Sequence, residues 1–229
     1  MIVSLIGHLG YVGQNIKDAL RKAGIDNIYL IDRETNYKDM VSYISKSNFF
    51  IHCAAIQRPK VNEVEYFLPN FELTKKIVDN LPEKTKLIFI SSIHFKSETP
   101  FGVVRRMEED YIINNVKCYT IYHLPYTYGA HGMPNYNNVF NTYIINVIKN
   151  EEIKINEFTK EFPLIFISNF IENMIINLKE SLNVVDDFNT INTTLPDFVS
   201  NLSKIKKGLI SDSDFFKELK SVYDWYRNQ

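Results

Sequence analysis

Five short, nearly unbroken apolar runs, at residues 2–6, 28–31, 49–53, 87–90 and 118–122, alternate with amphipathic stretches at 12–23, 38–45, 62–81 and 104–114. Unbroken apolar runs are what strands covered on both faces require, and strands separated by helices of this length join through right-handed βαβ units. The expected fold is therefore α/β, a Rossmann-type doubly wound parallel sheet. In the first amphipathic stretch Val12, Ile16, Ala19, Leu20 and Ala23 share one helical face, and Gly24 stands where a C-terminal cap belongs.

The rhythm changes after Gly129. A loop at 131–135 leads into a helix that ends near Asn150, then short strands near 153–155 and 162–166, then helices near 169–180, 196–205 and 212–226. The expectation is a dinucleotide-binding core over residues 1–130 and a small substrate cap with C-terminal helices over 131–229, the two forming one compact unit. A chain of 229 residues fits that size.

Charge and cysteine usage narrow the setting. A formal net charge of -1 provides no basic field for a nucleic-acid partner. Cys53 and Cys118 lack ligand spacing and read as thiols of a reducing compartment. The apolar opening segment has no basic region before it and reads as a strand, and no apolar run reaches membrane-spanning length. The expectation is a cytoplasmic protein with no membrane partner and no metal.

The first run is followed directly by Gly7-His-Leu-Gly10-Tyr-Val-Gly13, which opens the first helix. Glycines here allow a tight turn, close approach of the backbone to a pyrophosphate, and close packing of helix on strand. The helix N-terminus then offers N–H groups and its positive dipole end to phosphates. Gly7, Leu9, Gly10, Tyr11, Val12 and Gly13 are the candidate phosphate-binding residues. Asp32 ends the second run, about 20 residues on, where an acid can bind adenosine ribose hydroxyls. Its neighbour Arg33 suits a 2′-phosphate instead, so the pair leaves both NAD and NADP open.

These glycines, together with Ile51-His-Cys-Ala-Ala55, Asn70 and Ser91-Ser92, resemble the extended short-chain dehydrogenase/reductases, the NAD-dependent epimerase/dehydratase group. Further pieces are similar to the reductase domain of a bifunctional capsular-polysaccharide enzyme that makes UDP-N-acetyl-L-fucosamine precursors. They are His52-Cys-Ala-Ala-Ile-Gln-Arg-Pro59, Ser91-Ser-Ile-His94, Thr99-Pro-Phe-Gly102, Pro134-Asn-Tyr-Asn-Asn138 and Lys149-Asn-Glu-Glu-Ile-Lys-Ile-Asn156. The likeness runs to about residue 180 and omits that enzyme's cupin domain. It implies a UDP-linked sugar as ligand, NADP slightly ahead of NAD, and a homodimer. It sets Cys53, Ala54, Ala55 and Pro125 beside the cofactor and gives Ser92 the role of hydrogen-bonding the reacting oxygen.

The family's Tyr-Gly-x-x-Lys, however, falls on Phe101-Gly-Val-Val-Arg105. Phe101 has no hydroxyl to move a proton, and Arg105 stays charged, so it can hold a ribose but is a poor base. Loss of a positioned general acid typically costs about 10²–10⁴ in rate. His94, two residues past Ser92, is a replacement donor of suitable chemistry; Tyr126 and Tyr128 follow the fifth run. Asn135, Tyr136 and Asn137 are candidates for the nucleotide-sugar, since Asn can pair with sugar hydroxyls or uracil and a tyrosine ring can stack on a base; Asn135 equally suits a helix cap. Arg58 is a candidate clamp for the diphosphate. Two functions follow: a reductase or epimerase of a UDP-linked keto-deoxysugar, slowed or using another donor, and a non-catalytic module that holds dinucleotide or nucleotide-sugar.

Overall fold

The computed structural model describes residues 1–57, 63–136, 138–180, 183–185 and 188–229. In chain order the elements are β1 (Val3–Ile6), α1 (Tyr11–Lys22), β2 (Ile28–Ile31), α2 (Tyr37–Lys46), β3 (Phe49–His52), α3 (Val64–Asp79), β4 (Lys86–Ile90), a short 3₁₀ helix (Ile93–Lys96), α4 (Pro100–Asn115) and β5 (Tyr119–Tyr122). There follow β6 (Tyr126–Tyr128), α5 (Val139–Lys149), β7 (Glu161–Phe166), α6 (Ile167–Ile176), β8 (Val184–Val185), β9 (Ile191–Thr194), α7 (Leu195–Lys206) and α8 (Asp214–Arg227). The chain divides into two compact units, Met1–Leu124 with Glu172–Asp187, and Pro125–Ile171 with Phe188–Gln229. The segment 172–187, expected with the cap, thus returns to the first unit.

The first unit holds a six-stranded parallel sheet in the order β2-β1-β3-β4-β5-β8. Strands β1 and β4 are buried along their whole length, as their apolar runs require. The strand order reverses at β1, which has β2 on one side and β3 on the other. Ligands of open α/β sheets bind at the carboxyl ends of strands beside such a reversal. The six-strand Rossmann order is 3-2-1-4-5-6, with a strand outside β2. Here the chain crosses from β2 straight to the far side of β1, so β2 is an edge strand, and Ile28, Tyr29 and Leu30 are only half-buried.

The second unit has a three-stranded sheet, β6-β7-β9, parallel between β6 and β7 and antiparallel between β7 and β9. Tyr128, Phe140, Ile144, Leu164, Phe198 and Leu219 belong to its core. The strand expected near residues 153–155 is absent: Ile153 and Ile155 only lean against this core, with no strand among the described residues to complete a ladder. Among the described residues, no helix is long and apolar enough to cross a membrane.

Candidate functional site

The turn after β1 is built as its glycines require. Gly7 has φ +92, and a Cβ on it would lie 2.6 Å from the Ala54 nitrogen. A Cβ on Gly13 would lie 2.2 Å from the Gly7 carbonyl oxygen. The first glycine lets the turn press against the end of β3, and the third lets α1 press against the turn. Gly10 is the N-cap of α1, and no side chain caps the helix. Leu9 and Gly10 are exposed, Tyr11 and Val12 half-buried. Main-chain N–H groups at an uncapped, outward-facing helix start suit a diphosphate.

Around the turn, Asp32 Oδ1 accepts from the Glu34 and Thr35 main-chain nitrogens (2.9 and 3.2 Å) and from the Thr35 hydroxyl (3.2 Å). Its carboxylate is thereby fixed at the end of β2, beside the exposed Arg33. Cys53 donates its thiol to the Ile6 carbonyl (3.1 Å), and burial pushes its pKa up to about 12, so it carries no thiolate. Ala54 and Ala55 are half-buried. The next residue, Ile56, is gripped by Asn70 of α3, which accepts from its N–H (2.7 Å) and donates to its carbonyl (3.0 Å).

Ser92 caps the 3₁₀ helix, its Oγ accepting from the His94 N–H at 3.3 Å, and His94 is exposed. This helix lies close against the start of α4. A Cβ on Gly102 would come within 2.5 Å of the His94 carbonyl, so the glycine beside Phe101 makes the approach possible. The structure therefore brings Ser92 and His94 together with the segment that carries Phe101.

Arg105 points inward. Its side chain is 3% exposed, with Nη1 3.1 Å from Glu108 Oε2 and the guanidinium over the rings of Phe89 and Phe101 at 5.2 and 5.1 Å. The two charged atoms are close but not aligned as a hydrogen bond, and neither has another hydrogen-bond partner among the described residues. Phe101 meets Phe67 edge-on at 5.7 Å. Burial raises the Glu108 pKa, opposed by Arg105 and by the Thr74 hydroxyl, which donates to Oε1 at 2.6 Å. Since Thr74 gives its proton to Glu108, it must accept from His52 Nε2, 3.0 Å away, which fixes that tautomer. On the same helix Glu109 accepts from Ser91 and faces His123 Nε2 at 3.0 Å, and the His123 ring stacks on Phe95 at 3.7 Å. Ser91 and His123, the residues just after β4 and β5, are thus tied to α4.

His52 is buried without charge. Desolvation, then Arg105, lower its pKa to about 3. Between about 3 and 6.5 the unfolded chain binds a proton that the folded chain refuses, so stability rises with pH across that window and is lost as pH falls below 6.5. From pH 7 to pH 5 this one group costs about 2 kcal/mol, at about 1.4 kcal/mol per pH unit below 6.5. His52→Gln keeps a donor for Thr74 and does not titrate. Urea unfolding at the two pH values should show the variant losing about 2 kcal/mol less than wild type; equal losses would mean that His52 protonates in the folded protein.

In the second unit, Pro125 is buried. Tyr126 packs its ring edge-on against Phe162 (4.9 Å) and Phe140 (6.3 Å), and Tyr128 is 1% exposed with its hydroxyl donating to Glu218 (2.9 Å). Asn135 is not the cap of α5: it has φ 58, and Asn138 holds the cap, accepting from the Asn141 N–H at 3.0 Å. Tyr136 is exposed. Arg58 and Asn137 lie outside the described residues. Among the described residues, no three His, Cys, Asp or Glu side chains gather to hold a metal ion.

Residues 3–190 match the model of the NAD dependent epimerase/dehydratase family. The chain belongs to this family. It is 27% identical over 178 residues to UDP-2-acetamido-2,6-beta-L-arabino-hexul-4-ose reductase of Pseudomonas aeruginosa, covering 75% of this chain and 48% of that protein. Among solved structures it is similar to the capsular polysaccharide assembling protein CapF of Staphylococcus aureus, with 27% identity, TM-score 0.81, and 97% of this chain on 65% of that one. It also shares its fold with the UDP-glucuronic acid 4-epimerase of Bacillus cereus in complex with NAD, with TM-score 0.83, 16% identity, and 100% of this chain on 97% of that one. The chain thus spans about half the length of the curated relative.

Glu108, Glu109 and Thr74 are absent from the sequence-based candidates although they hold Arg105, Ser91, His123 and His52. For the two glutamates the signal is helical register: Arg105, Glu108, Glu109 and Ile112 lie three and four apart on one face, the face that the apolar Ile112 marks as buried.

Proposed function

We propose that this protein binds a nicotinamide dinucleotide, NADP or NAD, at its glycine turn and serves surface-polysaccharide synthesis in the cytoplasm as a reductase or epimerase of a UDP-linked keto-deoxysugar. One observation carries the reading: Gly7 and Gly13 sit where any Cβ would strike backbone, and the helix they open starts with no side-chain cap. The family and the reductase relative support the chemistry. A bound nicotinamide would give or take the hydride. The 7–13 turn holds the diphosphate, Asp32 or Arg33 the adenosine ribose, and Cys53, Ala54, Ala55 and Pro125 shape the wall beside it. Ser92 hydrogen-bonds the reacting oxygen, and His94, exposed on the adjoining 3₁₀ helix, replaces the missing hydroxyl as proton donor. Tyr128 is a poorer donor, since its buried hydroxyl is given to Glu218. Arg58, Tyr126, Asn135, Tyr136 and Asn137 serve the nucleotide-sugar, and the working form is a homodimer.

A second reading is favoured by Phe101 and Arg105, which are built into an aromatic and ion-paired interior. On it the protein holds the same ligands without turnover and acts through a partner.

Calorimetric titration tests the shared part. Wild type should bind NADP or NAD, and Gly13→Ala should bind it about tenfold to a hundredfold more weakly, the cost of forcing a methyl group into packed backbone. Flat traces for wild type with both dinucleotides would refute dinucleotide binding. Oxidation of NADPH or NADH by UDP-linked 4-keto sugars then separates the enzyme from the binding module.

A further inference from the structure

The 129–136 loop of the second unit is held from two helices. Asn141 of α5 accepts from the Gly129 N–H at 3.0 Å. Tyr226 of α8 does more: its Oη accepts from the Gly132 N–H at 2.7 Å and shares its proton between the Gly129 and Gly132 carbonyls, each 3.0 Å away. The preceding residue, Trp225, meets the His131 ring edge-on at 5.1 Å. Burial pushes the Tyr226 pKa up to about 12, so the hydroxyl keeps the proton that these bonds use. Gly132 is pressed so close that a Cβ there would lie 1.8 Å from Asn141 Nδ2.

Part of the clamped loop has a less favoured backbone conformation, and the Asn135 N–H is also held by the Thr142 hydroxyl at 2.9 Å. His131 and Asn135 have φ of 65 and 58, the left-handed region that costs non-glycine residues free energy and persists where surroundings impose it. The loop it shapes presents Met133 and Tyr136 at 65% and 56% exposure, an apolar and an aromatic side chain turned to solvent around Asn135. Helix α8 lies beyond residues 3–190, so the clamp comes from a part of the chain outside the family match.

We propose that Tyr226 is a positioning residue: its hydroxyl holds the 129–136 loop in the shape in which Asn135 and Tyr136 meet the uridine and sugar of a nucleotide-sugar. This rests on the reading of that loop as the nucleotide-sugar site. A loop pre-shaped for its ligand binds without the cost of ordering, and a loop that holds the shape only part of the time binds in proportion to that fraction.

Tyr226→Phe removes the hydroxyl and keeps the ring. Titrated with UDP-N-acetylglucosamine, it should bind about tenfold more weakly than wild type, as when the competent fraction falls to a tenth. Its affinity for NADP or NAD should be unchanged. The control is Glu218→Ala, which frees α8 from Tyr128 and Asn169 without touching the loop. It should lower the thermal midpoint at least as much and leave sugar-nucleotide affinity unchanged. Equal affinity in Tyr226→Phe and wild type would overturn the positioning role, as would equal weakening in Glu218→Ala. If wild type itself shows no heat with UDP-N-acetylglucosamine or UDP while binding dinucleotide, the nucleotide-sugar reading fails and takes this role with it.

Discussion

Glu108→Leu is expected to destabilise the first unit by about 3–5 kcal/mol, whereas Arg105→Met combined with Glu108→Leu should cost about 1 kcal/mol or less. The two side chains are 3% and 0% exposed, so the single change leaves a guanidinium in low dielectric with no anion. The rings of Phe89 and Phe101 offer it only their faces. The double change removes both charges and fills the space with apolar atoms, leaving the Thr74 hydroxyl without its acceptor, a loss of about 1 kcal/mol. Urea unfolding of wild type, both single variants and the double variant closes the cycle, and a coupling of about 3 kcal/mol is expected. Additive effects, or a Glu108→Leu cost under about 1 kcal/mol, would mean that water reaches the pair. The same cycle should move His52, because Arg105 helps to hold its pKa down. In the double variant the acid loss of stability through His52 should still begin below pH 6.5 but end at a higher pH than in wild type, once differences in starting stability are removed.

Such effects trace back to what was legible in the sequence. Strands β1 to β5 were readable because each is a short, mostly apolar run set between amphipathic stretches, the composition that a largely buried parallel strand favours. The glycine turn was readable for a like reason: only glycine has the φ of residue 7 and the bare Cα of residue 13. Strand β8 was not readable, since Val184 and Val185 form no pattern and become a strand only by lying beside Ile121 and Tyr122. The interior of α4 was hidden in another way. Arg105-Arg-Met-Glu-Glu-Asp110 looks like a solvated charged run, yet Arg105, Glu108 and Glu109 are buried and Arg106 and Asp110 are not. Mutual neutralisation makes that burial affordable, and pairing of side chains is a property of space rather than of composition. The loop at 131–135 was legible as a loop, but the left-handed conformation of His131 and Asn135 has no mark in composition, and the anchor on Tyr226 comes from a helix some 90 positions away.

Phe101→Tyr with Arg105→Lys is expected to raise the rate of hydride transfer between NADPH or NADH and a UDP-linked 4-keto sugar by about 10²–10⁴, the usual worth of a positioned general acid. The expectation depends on both positions. Tyrosine alone supplies a hydroxyl whose ordinary pKa near 10 makes it a slow donor and a poorer acceptor near neutrality. A cation beside it stabilises the phenolate, and a lysine does so with a compact charge that can also reach a ribose hydroxyl, which a guanidinium buried against two rings and Glu108 does not. Lysine at 105 keeps a positive charge opposite Glu108, so the cost of an orphaned buried carboxylate is avoided and the variant should fold. Each single change should therefore give much less than the pair, and single-turnover kinetics at saturating dinucleotide would measure it. A full gain would mean that Ser92 and the turn are already placed for catalysis and that His94 does not stand in for the missing hydroxyl. No gain, with dinucleotide affinity intact, would mean that Glu108 keeps position 105 turned inward whatever cation stands there. The binding-module reading would then hold, because α4 would be committed to holding the interior together.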